Sequence, residues 1–196
     1  MERNLNSLVK FKTRQLAVIG MLSAISIILG VTGLGFIPIP PVKATIMHVP
    51  VIIGAVLEGP VVGSMVGLIF GVFSIIQAVT SPTPVSFAFI NPLVSVLPRV
   101  LIGITAYYSY KVCANRFKHL STMLAGLVGS LTNTIGVMGM IYIIYLKPYA
   151  KALNVSVNAA KDGILTVCVL NGIPEAILSI LITTAVVTAV NKIRHK

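Results

Sequence analysis

Arg99 and Glu175 each fall in the middle of an apolar stretch of membrane length, in a chain of 196 residues whose only acids are Glu2, Glu58, Asp162 and Glu175. An ionisable side chain in hydrocarbon costs about 2.5–3.5 kcal/mol on insertion scales and more on others, so such groups pair with one another or with a ligand. If both stretches are helices, the 1.5 Å rise per residue puts Arg99 and Glu175 at similar depths, about 15–18 Å from one face. Asn133 lies near the centre of another stretch, and Asn171 is one turn from Glu175 on the same helical face. His48, Gln77 and Asn91 lie nearer that same face of the membrane. Together these residues describe a polar shaft that opens outward and ends at a charged pair.

Two readings of the shaft stand side by side. Arg99 and Glu175 can be a structural or gating pair, with the amides hydrogen-bonding between helices for about 0.6 kcal/mol each. Alternatively, they line a site for a small polar ligand. Asn91 precedes Pro92 and suits a helix cap, and His48 can equally be a packed interfacial side chain.

Several other chemistries are excluded. There is no GxxxxGK[ST], so the chain holds no P-loop and cannot power transport with ATP by itself. The absence of GxSxG argues against a serine hydrolase, and four scattered acids cannot build a carboxylate-rich metal site. Cys113 and Cys168 show neither CxxC nor Cys/His spacing and read as buried thiols without a disulfide. The expectation is a non-enzyme with no metal and no cofactor.

The elements that must position these residues are membrane helices. Hydrophobic residues make up 56% of the chain and charged ones 10%, with a mean hydropathy of +0.99. That is too much apolar surface for a soluble chain of this length to hide. The net charge of +11 does not imply nucleic acid, because Lys and Arg cluster at the ends of the apolar runs. The fold class expected is an all-α bundle in one domain, with six spans at about 15–34, 43–57, 60–79, 87–110, 120–146 and 164–191. The second span ends at Glu58-Gly59-Pro60, a turn in which Pro60 can open the next helix. The first apolar run continues to about Leu34 without a small-residue cleavage site, so no cleavable signal peptide is expected.

Charge sets the orientation. One face holds Arg3, Lys10, Lys12, Arg14, Lys111, Arg116, Lys118, Lys192, Arg194 and Lys196, and the other holds Lys43, Lys147, Lys151 and Lys161. The excess places both termini in the cytoplasm. The outer loops are then 35–42, 80–86 and 147–163, and the first two are stiffened by proline, which suits them to covering a site. On the first span Gly20 and Ala24 are four apart, with Ala17 a turn earlier and Ser23 beside them. This small-residue stripe lets another helix approach closely, either within the bundle or from outside.

The stretch Lys43-Ala-Thr-Ile-Met-His-Val-Pro-Val-Ile-Ile-Gly-Ala-Val-Leu-Glu-Gly-Pro60 and the segment Val62-Gly-Ser-Met-Val-Gly-Leu-Ile-Phe-Gly71 resemble the substrate-binding S components of energy-coupling factor (ECF) vitamin transporters. The resemblance extends to Met21-Leu-Ser-Ala-Ile-Ser26, to Asn171-Gly-Ile-Pro-Glu175, and to the chain length and span count. It implies a multi-pass bacterial cell-membrane protein that captures a vitamin outside and delivers it with a transmembrane coupling subunit and two ATPase subunits. In that family a small-xxx-small motif on the first helix meets the coupling subunit. Here Gly20 stands for the first Ala, and Ala24 matches the second. His48-Val-Pro-Val-Ile-Ile-Gly54, Pro82-Thr-Pro-Val-Ser-Phe87 and Pro98-Arg99 most resemble the pantothenate branch; riboflavin and cobalamin binders share the general pattern.

The resulting expectation is a vitamin pocket among the outer halves of the fourth, fifth and sixth spans. Asn91, Arg99, Asn133, Asn171 and Glu175 would line it, Gln77 would sit at its rim, and the loops after the first and third spans would close it. A rival is a self-sufficient secondary transporter in which Arg99 and Glu175 relay protons, and a second is an assembly protein with no small ligand.

Overall fold

The computed structural model describes residues 12–39, 42–114 and 117–194. Arg3, Lys10, Pro40, Pro41, Arg116 and Lys196, which entered the reading of orientation and loops, lie outside the described residues. The elements are α1 (Thr13–Val31), β1 (Phe36–Ile39), β2 (Val42–Thr45), α2 (Val49–Glu58), α3 (Pro60–Thr80), α4 (Ser86–Ile90), α5 (Pro92–Ser95), α6 (Leu97–Cys113), α7 (Lys118–Ala152) and α8 (Val157–Arg194).

Five helical units are long and apolar enough to cross a membrane: α1, α3, α5 with α6, α7 and α8. Their outward faces carry large apolar side chains, among them Val112 and Ile143 at 81% and 77% exposure. Lipid, not water, is the solvent that such a surface fits. The sixth expected span is shorter than the hydropathy suggested. Thr45 ends a strand, so the helix begins only at Val49, and the ten residues of α2 rise about 15 Å. Val49 through Ala55 are all buried, which makes α2 a core helix, apolar on every side because protein surrounds it.

The expected loop 35–42 contains β1 and is joined by β2 in an antiparallel hairpin, Phe36 facing Thr45 and Ile39 facing Val42. The fourth expected span is broken by turns at Asn91 and Val96, where Pro92 and Pro98 withhold backbone donors from a continuous helix. The expected outer loop 147–163 is mostly helix. Here α7 runs through Pro148 to Ala152, and α8 starts at Val157.

Neighbouring elements run antiparallel. Arg14 at the start of α1 donates to Glu58 at the end of α2 (2.6 Å), while Ser26 Oγ donates to the Met47 carbonyl (3.2 Å) at the opposite ends. The expected helical hairpin is present between α2 and α3, with Gly59 at φ +101°, a conformation that favours glycine. Thr105 meets Thr132 and Asn91 meets Tyr145 across α5–α7. Ser179 Oγ donates to the Gly126 carbonyl across α7 and α8.

Glycines on α3 fix where α5 and α6 sit. A Cβ at Gly67 would fall on the carbonyl oxygen of Arg99, and one at Gly71 would lie 2.7 Å from the Cα of Val96. Both sit on one face of α3, four residues apart. The backbone that carries Arg99 therefore touches α3 directly, as small-residue helix contacts permit.

Candidate binding site

A cavity of about 460 Å³ opens among α3, α7, α8, the hairpin and the α3–α5 connection. Its floor is polar: Arg99 from α6, Asn133 and Thr134 from α7, and Asn171 and Glu175 from α8. Ser74 and Gln77 on α3, with Ser81, Thr83 and Ser86 beyond it, supply a second polar region. Phe36, Met47, Phe70, Phe89, Val137, Met138 and Val167 form the apolar walls. An apolar enclosure with a few convergent polar groups is the form of a small-molecule site, and about 300–1,000 Å³ is the usual range.

Five of the expected lining residues, Gln77, Arg99, Asn133, Asn171 and Glu175, face this one cavity. Asn91 does not join them. Its Oδ1 accepts from Leu93 N (2.9 Å) to cap α5, and its Nδ2 donates to the Tyr145 hydroxyl (3.0 Å), so both polar ends are used in structure. His48 also stays outside the lining. It is fully buried where α2 begins, and neither ring nitrogen has a hydrogen-bond partner among the described residues.

The expected Arg99–Glu175 ion pair is not formed. Glu175 Oε1 accepts from the backbone N–H (2.9 Å) and hydroxyl (2.8 Å) of Thr45, and Oε2 accepts from the Thr134 hydroxyl (3.0 Å). Arg99 donates through Nη1 to the Val94 carbonyl (2.7 Å) and lies 5.6 Å from the centre of the Phe70 ring. Its Nε is buried without a hydrogen-bond partner among the described residues. Arg99 is also the third residue of α6, so its charge adds to the positive end of a helix dipole, an arrangement that an anion relieves. Asn133 Oδ1 and Asn171 Oδ1 are buried acceptors without partners among the described residues. Buried polar atoms of this kind call for a partner.

Sequence reasoning missed Thr45, Thr134 and the α3 wall. Thr134 adjoins Asn133, and Ser74 lies one turn from Gln77 on the same face, so helical spacing carried a signal for both. Nothing in the sequence links Thr45 to Glu175, because 130 positions separate them.

The small-residue stripe points away from the bundle. Ala17, Gly20 and Ala24 are exposed while Ser23 is buried, and a Cβ at Gly20 would have nothing within 4 Å. Among the described residues Ala17, Gly20 and Ala24 thus have no packing partner in the bundle, whereas Ser23 packs inside it.

A membrane-type helical bundle enclosing a small-molecule cavity, without any cluster of metal ligands among the described residues, defines a solute-binding membrane protein. Residues 14–187 match the model of the family described as ECF transporter, substrate-specific component, and the chain belongs to that family. It is a transporter component of the bacterial cell membrane that crosses the bilayer several times, and not an enzyme. Among its relatives, the Pantothenic acid transporter PanT of Lactococcus lactis subsp. cremoris is 32% identical over 169 residues, 79% of this chain and 81% of the relative. The Pantothenate transporter PanT of Leuconostoc mesenteroides subsp. mesenteroides is 30% identical over 137 residues, 65% and 67% of the two chains.

Proposed function

We propose that this chain captures pantothenate from outside the cell, with Arg99 seating the carboxylate, and passes it inward in a complex with a transmembrane coupling subunit and two ATPases. The observation that carries the reading is the state of Arg99, a cavity-lining cation at a helix N-terminus that forms no ion pair with Glu175. A guanidinium in this setting selects a carboxylate, which it can grip through two parallel N–H donors. Asn133 and Asn171 suit the amide of the ligand, and the hydroxyls of Ser74, Ser81, Thr83 and Ser86 suit its hydroxyl-bearing end. Riboflavin brings no anion to Arg99. Titration calorimetry of the purified protein with pantothenate tests the reading. No binding, with tight binding of riboflavin instead, would overturn it.

The same reading has six crossings, with β2 and α2 together making the second. Antiparallel contacts support it: the Arg14–Glu58 pair brings the start of α1 and the end of α2 to one face. The excess of Lys and Arg on that face makes it cytoplasmic. A reporter fused after Lys196 is therefore expected to read cytoplasmic, and an extracellular signal there would refute six crossings.

Coupling places the outward stripe of α1 against the partner subunit. Gly20→Leu puts bulk where a helix must approach closely, so uptake by cells is expected to fall at least about tenfold while pantothenate binding by the isolated protein stays unchanged. Equal loss of both would remove the stripe from the interface. The relay in a self-sufficient transporter has less support, because Arg99 and Glu175 do not touch. Co-purification of ATPase subunits separates the two mechanisms.

A further inference from the structure

We infer that Glu175 is the seat that holds the β1–β2 hairpin over the cavity, and that Thr45 is the positioning residue on the hairpin side. Glu175 is 4% exposed, and both of its oxygens are engaged. Two of its three hydrogen bonds come from Thr45, the last residue of β2. The third comes from Thr134, so one carboxylate joins the hairpin, α7 and α8.

The hairpin depends on this tie. Its base is secured to α1 through Gly35 N to the Leu29 carbonyl (2.8 Å), and Ile46 N closes onto the Gly35 carbonyl (2.9 Å). Those bonds fix where the hairpin leaves α1 and leave its tilt over the cavity open. A two-stranded hairpin is marginal by itself, and β2 packs against α8. Thr45 faces Phe36 across the two strands, and both residues line the cavity. Holding Thr45 on Glu175 therefore also holds Phe36 in the cavity wall. Hydrogen bonds to a carboxylate are the strong kind, and burial strengthens them further.

This use of Glu175 bears on capture. With three of its acceptor sites taken by Thr45 and Thr134, the carboxylate is held in place at the cavity wall, and its charge repels an anionic ligand end towards Arg99. Thr45 then governs how fast a bound ligand escapes. That kinetic consequence rests on the pantothenate reading, whereas the tie itself can be tested without ligand.

The test is hydrogen exchange of the full chain in lipid nanodiscs, free of ligand. In Thr45→Val the hydroxyl is lost at similar volume, and amides of residues 36, 37, 39 and 42–46 are expected to exchange at least about tenfold faster, with those of α7 unchanged. Thr45→Ser restores the donor and is expected to exchange like the wild type. Glu175→Gln, which removes the charge, is expected to resemble Thr45→Val. With radiolabelled pantothenate, dissociation from Thr45→Val is expected to be about tenfold faster, with association no slower. Hairpin exchange as slow in Thr45→Val as in wild type, or failure of Thr45→Ser to restore it, overturns the inference. Failure of the wild type to bind pantothenate instead rejects the ligand assignment, and hairpin exchange still decides on the tie.

Discussion

Arg99→Met is expected to weaken pantothenate binding at least about a hundredfold while the protein keeps its fold and thermal midpoint. Removing one partner of a buried, hydrogen-bonded charge pair costs about 2–5 kcal/mol, most of it in faster dissociation. The stability of the free protein is expected to change far less, because among the described residues Arg99 forms no contact ion pair with a carboxylate. The thioether side chain of methionine can lie over Phe70 in place of the guanidinium, which offsets part of the loss of the bond to the Val94 carbonyl. Arg99→Lys is expected to fall between, since an ammonium offers a point charge without the planar fork. The double variant Arg99→Met, Glu175→Leu should show no rescue, because Glu175 is held by Thr45 and Thr134 and not by Arg99. Calorimetry and thermal unfolding in detergent check the wild type, Arg99→Met, Arg99→Lys, Glu175→Leu and the double variant. Normal binding by Arg99→Met sinks the carboxylate seat, and a double variant more stable than both single ones would show that the two charges neutralise each other after all.

The second large effect is expected at a position that lies outside the lining. In Gly67→Ala the added methyl meets the Arg99 carbonyl oxygen, backbone that cannot swing aside as a side chain could. Overpacking of this kind costs about 1–3 kcal/mol, which for a chain of this size lowers the thermal midpoint by about 2–12 °C. Pantothenate binding should weaken at least about tenfold, because α6 can relieve the clash only by moving Arg99 away from the floor. Gly139→Ala is the control. A Cβ there has nothing within 4 Å, and Ala is the better helix former by about 1 kcal/mol. If Gly67→Ala unfolds and binds like the control, direct seating of α6 on α3 is not what positions Arg99.

The contrast between these two glycines shows how far a linear reading reaches. Both are glycines in apolar helices, and spacing alone ranks Gly67 higher only through its neighbours Gly63 and Gly71. Which of them touches another backbone depends on the angle at which α6 crosses α3, and no local pattern encodes that angle. The same holds for the fourth expected span. Pro92 and Pro98 were visible in the sequence, yet hydropathy carried the helix straight through them, because apolar content does not register a missing backbone donor. The hairpin was hidden for a related reason: Phe36–Ile39 and Val42 fall in the expected proline-stiffened loop, and Lys43–Thr45 reads as the start of the second span, because strands of four residues are too short to show a period of their own.

From the sequence by itself came the membrane class, the helical bundle, the clustering of Lys and Arg at the ends of apolar runs, the absence of nucleotide and metal motifs, and five cavity-lining side chains. Each is a matter of composition or of spacing along one helix, where residue type and a 1.5 Å rise are sufficient. Tertiary structure alone decided the partners of those side chains. Depth arithmetic placed Arg99 and Glu175 at one level and so suggested that they pair. The packed chain instead brings Thr45, 130 positions away, onto the carboxylate and leaves the guanidinium to Val94 and Phe70. Depth is one coordinate of three, and opposite charges at equal depth pair only when helix rotation turns both towards each other. Here Thr45 and Thr134 satisfy Glu175, and the positive charge of Arg99 faces a cavity.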